Sequence, residues 1–174
     1  MKTAYLGLGS NMGDREATLR EAARRLGAAD LRVARVSSLY ETEPMYVTGQ
    51  PRFLNQVVEI ETALLPMQLL HRVLGVEREL GRKRTVAKGP RTIDIDVLLY
   101  GRFVVESPRL VIPHPGMHER RFVLEPLAEL NPELRHPVLK KTMRELMMAL
   151  GPQGVRRVGA GDAPGTFSPP RSEG

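Results

Sequence analysis

The apolar residues of this chain fall into two rhythms, every second position in some stretches and every third or fourth in others. Residues 3–9 alternate as a strand and lead into the loop Ser10 to Gly13. Asp14 is placed to cap a helix whose inner stripe is Leu19, Ala22, Ala23 and Leu26, with Gly27 ending it. A second strand is predicted over residues 31–40, then a turn-rich segment from Thr42 to Pro51 containing Pro44 and Gly49. A third strand, residues 53–62, places Phe53, Asn55 and Val57 on one face. Pro66 favours a helix start, and the spacing carries that helix to Gly81 with Leu70, Val73, Leu74 and Leu80 on its apolar stripe. Glu77 falls on the same stripe. A basic stretch, Arg82 to Lys88, then precedes a fourth strand beginning after Gly89-Pro90.

That order, β-α-β-β-α-β, predicts an α+β fold with a ferredoxin-like core. In such a fold two helices lie on one side of an antiparallel sheet, and the site sits on the uncovered face or at its edge. A further strand is expected at Phe103–Val105, followed by a loop with Pro108, Pro113 and Pro115. Two helical segments, residues 119–130 and 142–150, form a C-terminal helical extension. From Gly159 the composition turns to Gly, Pro and Ser, which predicts one domain over residues 1–158 and a disordered tail over 159–174.

The chain has 174 residues, with 41% hydrophobic and 26% charged positions, as expected of one globular domain. No apolar run is long enough to span a bilayer, and the first residues enter a strand without a signal-peptide core, so a cytoplasmic location is the expectation. The absence of cysteine excludes disulfides, thiol catalysis and thiolate-bound metal. A net charge of +6 favours an anionic partner. Aromatics are only 5% and do not interleave with the basic residues as on a base-stacking platform, so a small-molecule phosphate is at least as good a partner as a polynucleotide.

The richest chemistry lies in the fourth strand. Asp94 and Asp96 share one strand face about 7 Å apart at the backbone, while Ile93, Ile95, Val97 and Leu99 take the other. Two adjacent carboxylates repel unless a cation lies between them, and magnesium accepts such a pair. With Arg91 just upstream, the set suits phosphoryl chemistry. The alternative is a solvated strand face on which two aspartates happen to alternate.

Four segments together, Ala4 to Asn11, Phe53 to Asn55, Gly89 to Asp96 and Pro113-His114, resemble the 6-hydroxymethyl-7,8-dihydropterin pyrophosphokinase family over nearly all of residues 3–150. The resemblance implies transfer of the β,γ-pyrophosphoryl group of ATP, the co-substrate, to the pterin hydroxymethyl oxygen in folate biosynthesis, with AMP released. It implies that Asp94 and Asp96 hold two Mg2+ ions, and that Arg82 and Arg91 are catalytic. It implies pterin contacts from Thr42, Pro44, Met45, Asn55 and the stacking pair Phe53 and Phe122. It implies ATP contacts from Glu77, Arg84, Arg109, His114 and Arg120. Small-molecule substrates and a monomer follow, without nucleic acid or membrane. His71, His118 and His136 match no role.

Each assignment has a plainer counterpart: core packing for Phe53 and Phe122, a solvated basic loop for Arg82 and Arg84, and an arginine-paired edge carboxylate for Glu77. The sequence departs from the family pattern at Ala87 and Lys88 and at Leu74, where a polar residue can contact nucleotide. The competing class is a basic ferredoxin-like nucleic-acid-binding module. Against it, the aromatic consensus of the RNA-recognition motif is absent and an acidic pair repels phosphate. Neither a dinucleotide fingerprint nor a Gly-Lys-Ser/Thr phosphate loop occurs.

Overall fold

The computed structural model describes residues 1–43, 52–81 and 92–159. The site residues Pro44, Met45, Arg82, Arg84 and Arg91, and the departures at Ala87 and Lys88, lie outside the described residues. The elements run β1 (Lys2–Ser10), α1 (Arg15–Leu26), β2 (Leu31–Val36), β3 (Leu39–Thr42), β4 (Phe53–Thr62), α2 (Pro66–Glu79) and β5 (Asp94–Tyr100). There follow the short strands β6 (Val105–Glu106) and β7 (Val111–Ile112), a 3-10 turn at Met117–Glu119, α3 (Arg121–Leu130), α4 (Met143–Met148) and β8 (Val155–Gly159). The fold is α+β: an antiparallel sheet in the order β5-β1-β4-β3-β8, with β2 also paired to β4.

The helices begin where the chain supplies caps. The Asp14 carboxylate accepts from the Ala17 N–H at 3.1 Å. At α4, Thr142 and Glu145 form a reciprocal capping box. Pro66 opens α2, where a missing N–H costs nothing. The buried residues of α2 are Leu69, Val73, Val76 and Glu77, so Leu74 stands half-buried off the core stripe that its spacing suggested.

The two sides of the sheet bury different clusters. Leu6, Leu8, Val58, Ile60, Ile95 and Val97 pack with Leu19, Ala22 and Leu26 of α1 and with Leu69, Val73 and Val76 of α2. Tyr5, Val57, Leu98 and Leu99 pack on the other side with Val123, Leu124 and Leu127 of α3 and with Met143 and Leu146 of α4. The second face is therefore covered over its middle by the C-terminal helices rather than left open.

Four further expectations are corrected. The strand predicted over 31–40 is broken at Ser37-Ser38, where side-chain hydrogen bonds join one backbone bond, from the Ser37 N–H to the Val57 carbonyl at 2.9 Å. The Ser37 hydroxyl accepts from the Val57 N–H at 2.9 Å, and the Ser38 N–H donates to Glu129 of α3 at 2.7 Å. Leu99 joins Leu98 on the α3 side because a register shift between Tyr5 and Leu6 inserts an extra residue into β5. The strand expected at 103–105 is reduced to Val105–Glu106, and the C-terminal extension ends in a strand, β8, that pairs with β3 and was not foreseen.

One polar row ties the sheet together at its far end. Glu59 of β4 accepts two hydrogen bonds from Arg35, at 2.7 and 3.0 Å, and one from the Tyr5 hydroxyl at 2.7 Å. Bonding to Arg35 holds the Glu59 carboxyl below its usual value, whereas burial pushes the Tyr5 hydroxyl up to about 12. A carboxylate whose pKa falls on folding adds stability above its unfolded value of 4.5, and that stability is lost as the pH drops through the folded value. Glu59→Gln is expected to cost about 1–3 kcal/mol at pH 7 and to flatten the acid side of the stability profile. Urea unfolding at pH 7 and pH 4 checks this, and an unchanged acid dependence contradicts it.

Candidate active site

The antiparallel register assembles the site in rows across strands. Gly9 of β1 stands between Asn55 of β4 and Asp94 of β5, and Gly7 stands between Val57 and Asp96. Directly paired residues share a face, so Asn55 and the two aspartates flank a strip floored by glycine. A Cβ at Gly9 would come within 3.0 Å of the Asn55 Oδ1, and one at Gly7 within 3.4 Å of Leu98. Neither glycine had been assigned a role from the sequence. The signal was present, because Gly7/Gly9, Asn55/Val57 and Asp94/Asp96 repeat the same two-residue spacing on three strands that pair.

At one side of this strip, the Asn55 amide donates to the Thr42 hydroxyl at 2.7 Å, and both side chains are buried. That bond leaves the Asn55 carbonyl and one amide hydrogen to recognise the edge of a heteroaromatic ring. Phe53, half-buried at the start of β4, pairs with Thr42. Phe122, in the first turn of α3, packs in part against the second cluster. Tyr40, next in the Asn55 row, donates to Glu129 at 2.7 Å, which ties β3 to α3.

At the other side, the loop after β7 folds onto β5. The His114 N–H donates to the Leu98 carbonyl at 3.0 Å, within the bulged stretch of β5. The His114 Nδ1 accepts from the Gly116 N–H at 3.3 Å, which leaves Nε2–H to donate outward. Burial lowers the pKa of His114; the Asp96 charge opposes that shift and the Arg120 charge reinforces it. Asp96 and Arg120 thus both lie within electrostatic reach of His114.

Arg120 lies 5.9 Å from the Phe122 ring centroid, linking the cationic and aromatic parts. Its neighbour Arg121 is committed to structure, donating to Glu125 and to the carbonyls of Leu150 and Gly151. Arg109 is exposed at the turn between β6 and β7, and β7 lies against β5.

Glu77 is only 3% exposed, and its carboxylate accepts from the Ile95 N–H at 3.1 Å. This is a structural bond that steadies β5 between the two aspartates, whatever else Glu77 contacts. His136 is structural as well, its Nδ1 accepting from the Val138 and Leu139 N–H groups.

Among the described residues, no three or more His, Cys, Asp or Glu side chains gather to hold a metal on protein ligands alone. Two carboxylates on one strand face do suit Mg2+, which characteristically takes one or two protein carboxylates and completes its shell with phosphate oxygens and water. Among the described residues, no helix is long and apolar enough to cross a membrane.

Two carboxylates on one strand face, one of them within electrostatic reach of His114, and an amide in the same row as Asp94 form a set suited to phosphoryl transfer. The chain belongs to the 7,8-dihydro-6-hydroxymethylpterin-pyrophosphokinase (HPPK) family, whose model matches residues 5–132. It is 47% identical over 159 residues to the 2-amino-4-hydroxy-6-hydroxymethyldihydropteridine pyrophosphokinase of Methylorubrum extorquens, spanning 91% of this chain and 99% of that protein. It is 52% identical to the Bacillus subtilis protein of the same name over 73% of this chain and 77% of the relative. The folic acid synthesis protein fol1 of Schizosaccharomyces pombe is 47% identical over 89% of this chain, but the match spans only 21% of that longer protein. The fold is similar to that of wild-type Plasmodium falciparum HPPK-DHPS, with a TM-score of 0.65 at 20% identity, over 85% of this chain and 43% of that one.

The glycine floor makes a specific demand. Gly9→Ala is expected to displace the Asn55 amide from Thr42 and to cost about 1 kcal/mol through overpacking. The Asn55 side-chain amide resonance and the thermal midpoint check this, and an unmoved resonance contradicts it.

Proposed function

We propose that this chain transfers the β,γ-pyrophosphoryl group of ATP to the hydroxymethyl oxygen of 6-hydroxymethyl-7,8-dihydropterin and releases AMP, in folate synthesis. The observation that carries the proposal is the shared face on which Asn55, Gly9 and Asp94 stand in one row, with Asp96 two residues along. Family membership and the pyrophosphokinase relatives support it. The same reading takes the sheet as a ferredoxin-like core and residues 1–158 as one pyrophosphokinase domain. The protein works as a cytoplasmic monomer on small-molecule substrates.

Asn55, held by Thr42, reads the pterin edge, with Phe53 and Phe122 on the ring faces and Pro44 and Met45 completing the pocket. Glu77, Arg84, Arg109, His114 and Arg120 bind ATP. His114 is suited to this task as a neutral donor, because its Nδ1 is already occupied and only Nε2–H remains.

In the transfer, the pterin oxygen forms a bond to the β-phosphorus while the bond from that phosphorus to the bridging oxygen of the α-phosphate breaks. AMP leaves with those electrons, and the hydroxyl proton passes to solvent. Arg82 and Arg91 bring guanidinium charge to the oxygens on which negative charge develops. Asp94 and Asp96 would hold two Mg2+ ions, which when bound would supply positive charge to neutralise the phosphates.

Incubation with ATP, Mg2+ and the pterin, followed by chromatography, tests the reaction: equimolar AMP and pterin pyrophosphate are expected, and ADP overturns the proposal. Asp96→Ala is expected to lower kcat about a hundredfold or more with the fold intact, and near-normal turnover overturns the metal assignment. Phe122→Ala is expected to raise KM for the pterin about tenfold and to change KM for ATP little. Equal losses for both substrates would make Phe122 a core residue.

A further inference from the structure

The strand that carries Thr42 toward Asn55 carries Glu41 on its opposite face, together with Leu39 and Leu54 of the α1 side. The Glu41 carboxylate is approached by three guanidinium groups: Arg15 at 3.3 Å, Arg156 at 3.5 Å and Arg52 at 3.7 Å. Its side chain is 14% exposed, far less than an ordinary surface carboxylate. Arg15, the first residue of α1, also donates to the Arg52 carbonyl at 2.7 Å. Arg52 in turn donates to Glu43 at 3.0 Å, and the Glu43 N–H donates to the Gly154 carbonyl at 3.1 Å.

Glu41 is the next-to-last residue of β3 and Glu43 lies just beyond it, and Arg52 immediately precedes β4, so the ends of two paired strands are tied to each other, to the start of α1 and to the β8 segment. On the reverse side of these strand ends stand Thr42 and Phe53, paired in register. A cleft of about 550 Å3, lined in part by Arg15, Leu39, Glu41, Leu54 and Val158, opens beside the carboxylate.

Exposed ion pairs taken singly contribute little, but a half-buried carboxylate shared among arginines from three places in the chain restrains geometry as a network. The residues it restrains touch the pterin in the function proposed above, on which this inference rests. We propose that Glu41 is a positioning residue for pterin binding: by joining Arg15 and Arg52 it fixes the strand ends from which Thr42 and Phe53 enter the pterin pocket. The signature of such a role is selective, because the acid pair and the His114 loop are anchored to β5 through other contacts. A displacement of an ångström or less at Thr42 and Phe53 is enough to weaken recognition of a flat ligand.

The test uses the full chain and the variants Glu41→Gln, Arg15→Gln and the double variant, with kinetics in each substrate, thermal midpoints and calorimetry. Glu41→Gln is expected to raise KM for the pterin about fivefold, while kcat and KM for ATP stay within about twofold and the thermal midpoint shifts by only a few degrees. In the Arg15→Gln background the same change is expected to cost less than in the native protein, because one of the three arginines that Glu41 holds is already lost. Parallel losses in both KM values with a large fall in thermal midpoint, or fully additive effects, overturn the proposal. Calorimetric titration of 6-hydroxymethylpterin in the presence of a non-hydrolysable ATP analogue reads the pocket without turnover. Equal affinity in the native protein and Glu41→Gln overturns the positioning role alone. A native protein that neither binds the pterin nor turns over overturns the pyrophosphokinase reading, and this inference with it.

Discussion

A one-residue slip of β1 against its neighbours would turn Gly7 and Gly9 into the α1–α2 core and push Leu6 and Leu8 onto the opposite face. Both outcomes are prohibitive, since Leu6 and Leu8 are buried and a glycine in their place would leave a cavity. The register of β1 between β4 and β5 is therefore fixed by apolar burial on one side. The alignment of Asn55, Gly9 and Asp94 on the other side is its consequence. The site is ordered by a core that it does not touch.

The second face shows how the same sheet is both packed and kept accessible. Tyr5, Val57, Leu98 and Leu99 are covered by α3 and α4, whereas Asn55, Thr42 and the aspartates stand outside that apolar cluster. The bulge in β5 brings Leu98 and Leu99 to the same side, and the Leu98 carbonyl receives the His114 N–H. One irregularity in a strand thus serves two ends: it completes the cover over α3 and docks the histidine loop beside Asp96. Glu129 binds both the Ser38 N–H and the Tyr40 hydroxyl, which holds β3 against α3. The amide side and the acidic side of the site are accordingly referred to the same C-terminal helices.

Local signals made much of this legible. Asp14, Pro66 and Thr142 mark helix starts by backbone chemistry that does not depend on the rest of the fold. Period-two spacing placed Asp94 with Asp96 and Phe53 with Asn55 on common faces. The resemblance named the residues around them, and the family match covers residues 5–132. What escaped depends on contacts distant in sequence. The break at Ser37-Ser38 exists because Val57 and Glu129 supply partners 20 and 91 residues away. The face reversal of Leu99 depends on pairing with Tyr5, and β8 gains its partner only once β3 has formed. Gly7 and Gly9 fall within the strand predicted over residues 3–9, and only the register sets them between Asn55 and the aspartates.

In the proposed function, Asp94 and Asp96, on the same face as the glycine strip, would hold the metal that accompanies ATP. Mn2+ substituted for Mg2+ in the presence of a non-hydrolysable ATP analogue broadens nearby amide resonances, so its position is directly readable by NMR. The strongest broadening is expected at residues 94–97 and 7–9, with α1 and the Glu41–Arg15 region much less affected. Sharp resonances at 94–97, with broadening centred on the acidic residues Glu41 and Glu43, would contradict this assignment.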